Sequence, residues 1–397
     1  MEQFVFPAKA KRISFILMGV GILSLILGVV LGYDSNRIWS NVLINGWFFF
    51  GIGVIGTFFV AVQYAAQAGW GTVLKRVFEA ISQYTYVGAG ILILVFIASS
   101  LHWNHIYHWM DSALYDPSSH HYDPIIANKE AYLNLPFWWA RVIIFLSVFI
   151  FFTYWFRKKS IQEDLNGGVG IYKKSITMSA IFLVFFGYSS IVITWDWLMS
   201  IDTHWFSTLY GWYLFSGIWL SSMVCMYLLT AYLKKLGYLE QVNDSHIHDL
   251  GKWIFAVSFL WTYLFFSQFM LIWYSDMPEE VTYYIPRIED YGLIFWGMVL
   301  INFIFPMLLL MSKDTKRNIG VLTFVSIIIL IGHWLDVYML ITPGVMKAEG
   351  HLGWFEIGLA LGFVGSFIFV VLNAMTKAGV MVKNHPMLDE SLHHHIN

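Results

Sequence analysis

Ten stretches of this chain, each of about twenty residues or more, run almost without charge: residues 13–33, 41–67, 79–101, 136–156, 175–198, 205–233, 252–274, 291–311, 319–341 and 353–376. A helix that crosses a bilayer needs about 20 consecutive apolar residues. Within lipid only a helix or a closed barrel satisfies its own backbone, and runs this long without alternation suit helices. The chain is therefore predicted to be an all-α polytopic membrane protein, a single integral membrane domain over residues 1–397. The longer stretches leave room for tilt or for helical ends beyond the lipid. Composition agrees: 12% of residues are charged and 58% hydrophobic, whereas a soluble domain carries about a quarter charged residues. No loop is long enough for a separate globular domain. Residues 1–12 are basic at their end and precede a full-length apolar run with no small-residue cleavage site. The first stretch thus reads as a span, not a removed signal peptide.

Lysine and arginine set the expected orientation. With the N-terminus inside, Lys9, Lys11, Arg12, Lys75, Arg76, Arg157, Lys158, Lys159, Lys173, Lys174, Lys234, Lys235, Lys252, Lys313, Lys316, Arg317, Lys377 and Lys383 share one side. Arg37, Lys129, Arg287 and Lys347 fall on the other, and Arg141 lies within the fourth stretch. Merging or dropping one span would scramble this segregation. The expectation is a multi-pass protein of a bacterial inner membrane with both ends cytoplasmic.

Several chemistries are excluded. The net charge of −2 gives no reason to expect nucleic acid. The single cysteine, Cys225, cannot by itself make a disulfide, a zinc site or an iron–sulfur cluster. No C-x-x-C-H occurs for covalent haem. Of 14 histidines, only His333 is clearly inside a predicted span, so a chain of intramembrane b haems with paired axial histidines is not expected. No metal is expected. His393, His394 and His395 are assigned no role.

Polar residues inside the apolar stretches are the candidates for function, because a charge at the bilayer centre costs roughly 2.5–3.5 kcal/mol on insertion scales. At about 1.5 Å per residue, His333 lies roughly 21 Å from the cytoplasmic end of its span, Gln268 roughly 24 Å, Asp336 roughly 26 Å and Asp196 roughly 31 Å; Arg141 lies about 7 Å below the outer face. His333 and Asp336 stand at i and i+3, on one helical face. An imidazole beside a carboxylate can relay protons near neutral pH. Arg141 is a counter-ion candidate for Asp196 or Asp336. Asp202 and His204 follow in the next outer loop, and Asp276, Glu279 and Glu280 form an acidic outer segment. Glu79, with Ser82, Gln83 and Tyr84, opens the third span from inside. Each has a plain structural use as well. Buried pairs hold helices together, interfacial acids are wetted by headgroups, and Pro278-Glu279-Glu280 suits the first turn of a short helix.

The fifth and ninth stretches end alike, in Trp195-Asp196-Trp197-Leu198-Met199 and Trp334-Leu335-Asp336-Val337-Tyr338-Met339, four spans apart. Two related four-helix units, spans two to five and six to nine, would produce this. Phe266-Ser267-Gln268-Phe269-Met270-Leu271-Ile272-Trp273-Tyr274 with Pro278-Glu279-Glu280, Gly332-His333-Trp334-Leu335-Asp336, and Trp195 through Asp202 resemble the NrfD-like membrane subunits (ActC and ActF) of bacterial alternative complex III, a quinol:cytochrome c oxidoreductase. The ActF type is the closer likeness, over nearly the whole chain.

That resemblance implies two four-helix bundles plus two flanking helices. It implies a non-catalytic subunit with no redox centre of its own, in a respiratory complex that oxidises menaquinol or ubiquinol near the outer face. Partner subunits would carry the iron–sulfur clusters and haem c: an ActC-like sister, an iron–sulfur subunit and c-type cytochromes, with a terminal oxidase a further candidate. A proton path through Asp196, Asp202, Gln268, His333, Asp336, Arg141 and Glu79 is the second implied role. Three other readings stand beside it: a chain that binds quinol itself at His333 and Asp336, a secondary transporter, and a scaffold. The transporter is disfavoured because Pro306 is the sole proline expected well inside a span and the repeat units run parallel, not inverted.

Overall fold

The computed structural model describes residues 3–395. It holds ten helices long and apolar enough to span a bilayer: α1 (Ala8–Val30), α2 (Ser35–Ala65), α3 (Thr72–Ser100), α4 (Leu135–Asn166), α5 (Val169–Ile201), α6 (Leu209–Lys235), α7 (Asp244–Ser275), α8 (Gly292–Leu310), α9 (Ile319–Glu349) and α10 (Trp354–Met375). No strand forms among the described residues, only an isolated bridge between Gln3 and Gly379. That bridge places the two chain ends on one face, called here the terminal face; the other is the distal face. The chain is an all-α polytopic membrane protein.

Helix ends must satisfy backbone groups that lipid cannot. Asp34 accepts from Asn36 N at 3.1 Å to open α2, and Asn318 accepts from Gly320 N and Val321 N to open α9. Asn243 and His246 cap α7 reciprocally. Glu356 reaches back to Gly353 N at 2.9 Å at the start of α10. At the other end of α8, Lys316 Nζ collects the carbonyls of Leu310, Met311 and Ser312. The α4–α5 turn uses Gly167 and Gly168 at φ +65° and +84°, where a Cβ would be strained.

Two four-helix groups emerge from the packing. In the first, α2 contacts α3, α4 and α5; in the second, α6 contacts α7 and α9, and α8 contacts α7 and α9. Helix α2 also touches α6 and α9, so it sits where the groups meet, and 83% of its apolar window is buried against 22% for α1. The flanking pair is α1 and α10, which pack extensively on each other, with α10 resting on α2 and α3. Small residues make this approach possible. A Cβ at Gly21 would fall 2.5 Å from the Gly362 Cα, and one at Gly358 would overlap Ser24.

Four helices depart from their expected form. Helices α4 and α7 run ten residues past 156 and eight before 252, because helix continues into segments too polar for hydropathy to register. His246 and His248 therefore belong to α7, at its terminal-face end. Helix α9 continues to Glu349 with Pro343 inside it, so Pro306 is not the only intrahelical proline. Helix α8 contains a π turn over Leu300–Ile304 directly before Pro306. Proline has no N–H to give the carbonyl four residues back, here that of Asn302, and its ring crowds that carbonyl; a wider turn accommodates both.

Replacing Gly21 with leucine should force α1 away from α10. Overpacking of this kind costs on the order of 1–3 kcal/mol. A lowered unfolding midpoint of the purified protein in detergent, with α2–α9 contacts intact by cross-linking, is the expected result.

Candidate functional site

Asp336 sits on the inner face of α9, 4% exposed. Its Oδ1 accepts a hydrogen bond from the Tyr213 hydroxyl of α6, and its Oδ2 accepts from Trp261 Nε1 of α7 at 3.0 Å. Three helices of the second bundle thus converge on one carboxylate. His333 lies one turn below, with Nδ1 3.7 Å from Asp336 Oδ2, beyond hydrogen-bond reach. Its ring meets Trp261 edge-on at 5.1 Å, and neither ring nitrogen has a protein partner. The i, i+3 pair shares a face, but two polar groups from other helices hold the acid.

The charge balance singles out this carboxylate. Among the described residues the buried acids are Glu79, Glu163, Asp196, Asp249, Asp336 and Glu356. Glu79 pairs with Arg76 and Arg157, Glu163 with Lys75, Asp196 with Arg141, Asp249 with Lys252 and Glu356 with Arg37. Asp336 has no lysine or arginine within ion-pair distance among the described residues; the one basic side chain near it is His333. An ion buried without a counter-charge is costly, so such sites bind a proton. Asp336 and His333 are thus a buried carboxyl and imidazole side by side, with no lysine or arginine partner for the acid among the described residues.

Above Asp336 a small cavity of about 10 Å³ is lined by Tyr213, Gln268, Tyr284 and Arg287 among others. Gln268 donates to the Tyr284 hydroxyl at 3.1 Å and accepts from Ser207 at 3.3 Å. The α7–α8 connection folds over this space in two short helices, Pro278–Val281 and Tyr284–Glu289. It is fastened by Arg287, which donates to the carbonyls of Tyr283, Met339 and Leu340 and to Asp202 Oδ2 at 3.0 Å. The guanidinium lies 3.4 Å from the centre of the Tyr283 ring. Burial pushes the Tyr283 and Tyr284 phenols above their ordinary range, so both stay protonated. Beyond Tyr283 and Asp202 a vestibule of about 480 Å³ opens on the distal face, lined also by His105, His108, His204 and Lys347. Polar groups therefore run from open water to Asp336 with the Arg287–Asp202 pair between.

The other anticipated residues lie elsewhere. Arg141 grips Asp196 with Nε at 2.5 Å from Oδ2 and Nη2 at 3.1 Å from Oδ1, and stacks on Tyr132 and Phe137. This pair joins α4 to α5 in the first bundle and shares no polar partner with Asp336. Asp276 and Glu279 are exposed, with no hydrogen bond to the buried groups, and Glu280 contributes only its backbone carbonyl, to Trp205 Nε1 at 3.1 Å. Glu79 is the centre of a separate cluster at the terminal-face end of the first bundle, where Arg76 and Arg157 both bind its Oε2 at 2.6 and 2.9 Å. Tyr213, Trp261, Tyr284 and Arg287 were not anticipated. Their one sequence signal was spacing: Trp261 and Gln268 are seven apart on α7, so they face the same way.

Removing Arg141 alone strands a buried carboxylate and should cost about 3–5 kcal/mol, while Arg141→Ala with Asp196→Ala together should recover much of that. A double-mutant cycle on detergent unfolding midpoints reads the coupling. No protein-family model matches the chain, and no curated protein matches it.

Proposed function

We propose that the chain is a non-catalytic membrane subunit of a quinol-oxidising respiratory complex in a bacterial inner membrane, and that its second bundle exchanges protons with the outer side. The observation that carries the proton role is Asp336: the one buried acid without a lysine or arginine partner among the described residues, next to an unpartnered imidazole and lining a small cavity that shares Tyr283 with the distal vestibule. The quinol and partner reading rests on the sequence resemblance to NrfD-like subunits of alternative complex III. In that reading the distal face is the outer side and both chain ends are cytoplasmic, as the basic residues of the terminal face favour. Electrons pass through iron–sulfur and haem c groups of partner subunits, and this chain handles protons alone.

A proton entering from His333 moves to Asp336. From there it passes by way of Tyr213, Gln268 and Tyr284, with water in the small cavity, toward the Arg287–Asp202 pair. Arg287 repels a travelling cation unless Asp202 offsets it, so this pair is the natural point of control. The Arg141–Asp196 pair is too fully satisfied for such duty and acts as a fastener. The alternative, a quinol bound by this chain at His333 and Asp336, meets a cavity with room for about one water molecule, far short of an aromatic ring.

In the reconstituted complex, Asp336→Asn should leave most quinol oxidation in place and reduce the protons released per electron. Tyr213→Phe should give a smaller drop. An unchanged proton yield in both would remove this carboxylate from the path. Purification of the chain as a stable protein with no companion subunits would count against the complex.

A further inference from the structure

The residues after α10 do not trail into solvent. They cross the terminal face and tie together the ends of four helices. Lys383 N donates to Asp164 Oδ1 and Asn384 to Asp164 O, both at 2.8 Å, at the end of α4. Ser391 donates to Trp70 O at 2.7 Å and accepts from Val73 N at 3.2 Å, at the α2–α3 turn. Asn243, at the start of α7, donates to His394 O at 2.8 Å, and His394 lies 2.6 Å from Asp249. Among the described residues of this segment, the only helix is the five-residue Leu388–Leu392.

Between these attachments His385 turns inward. Its ring meets Tyr172 edge-on at 5.2 Å and Tyr64 at 5.8 Å. Burial, with Lys75 and Arg76 nearby, holds the imidazole down to about 3, so it enters as a neutral ring. With Gln63, Tyr64, Lys75 and Tyr172 it lines a cavity of about 20 Å³, enough for one water. Behind lies the buried cluster of Lys75, Arg76, Glu79, Arg157, Glu163 and Asp164. Its hydrogen bonding is incomplete: Gln63 Oε1, Arg76 Nε, Glu79 Oε1, Ser160 Oγ, Glu163 Oε1 and Tyr172 OH are buried without a protein partner. Such a concentration of unmet donors and acceptors is what internal water satisfies.

We propose that the C-terminal segment is a removable plug, with His385 as its stopper, that closes a hydrated charge cluster in the first bundle off from the terminal face. The plug is held by a few hydrogen bonds and the edge-on and tilted ring contacts of His385 with Tyr172 and Tyr64, with no helix of its own longer than five residues among the described residues. Local opening is therefore expected well before the helices separate. Opening leaves a water-filled entrance beside Lys75 and Tyr64, bounded by α2, α3, α4 and α5. This inference does not depend on the quinol reading.

Cysteine accessibility tests it. Gln63→Cys, in a Cys225→Ala background, places a thiol on the cavity wall. Sealed vesicles of both orientations are treated with a membrane-impermeant methanethiosulfonate. Slow modification in the otherwise native chain is expected, and modification about tenfold faster or more when His385→Gly is added, from the terminal face only. Ser391→Ala, which loosens the anchor and leaves His385 in place, should give an intermediate rate. It also serves if His385→Gly fails to assemble. Fast modification in the native-tail chain, or equal rates with and without the tail substitutions, would overturn the plug.

Discussion

Inside this bundle an ionised side chain is tolerated only with a partner, and the partners decide which helices lie side by side. Arg141 with Asp196 joins α4 to α5. Arg37 with Glu356 joins α2 to α10 and secures the flanking pair. Lys75 with Glu163, Arg76 with Asp164 and Arg157 with Glu79 join α3 to α4. Asp202 with Arg287 holds the α7–α8 connection across the end of α5. In a low-dielectric interior each pair is dear to break and of modest net worth to form, so it selects an arrangement more than it adds stability. Asp336 departs from this scheme, and it departs beside a small cavity that shares Tyr283 with the distal vestibule.

The ten spans were legible because bilayer thickness imposes a length that hydropathy can count. Their two-bundle packing was anticipated from the likeness of the segments around Asp196 and Asp336, which occupy corresponding ends of α5 and α9. Helix ends were misjudged where the helix outlasts its apolar stretch, as in α4 beyond Phe156 and α7 before Lys252. Hydropathy measures solvent preference, not backbone conformation. Lys75, Arg76 and Arg157 count toward one side of the membrane in the orientation argument, which says nothing of their burial, and all three are buried in ion pairs. Arg76 finds Asp164 88 positions along the chain, a distance at which no local pattern exists.

The candidate site was half visible. The i, i+3 spacing of His333 and Asp336 put them on one face, and their depth drew attention to them. The spacing did not show that the imidazole stops short of the carboxylate, or that Tyr213 and Trp261 fill its place. Those residues belong to α6 and α7, and an aromatic residue in a chain so rich in them carries no mark of its partner. Arg287 was counted as an outer loop charge. Folded back under its own loop, it lines the cavity and fastens the loop to α9 and Asp202.

The π turn before Pro306 has a further consequence. It holds one residue more than the α-helical turn it replaces, and each residue turns a helix by about 100°. Phe295 and Met298, which line the cavity beside Asp336, lie on the far side of that wide turn from the anchored end of α8. Losing a single residue there would restore a regular helix and rotate both side chains away from the carboxylate. The surroundings of Asp336 are thus set partly by an insertion: a count of residues in a neighbouring helix, invisible to any comparison of side-chain types, decides what faces this carboxylate.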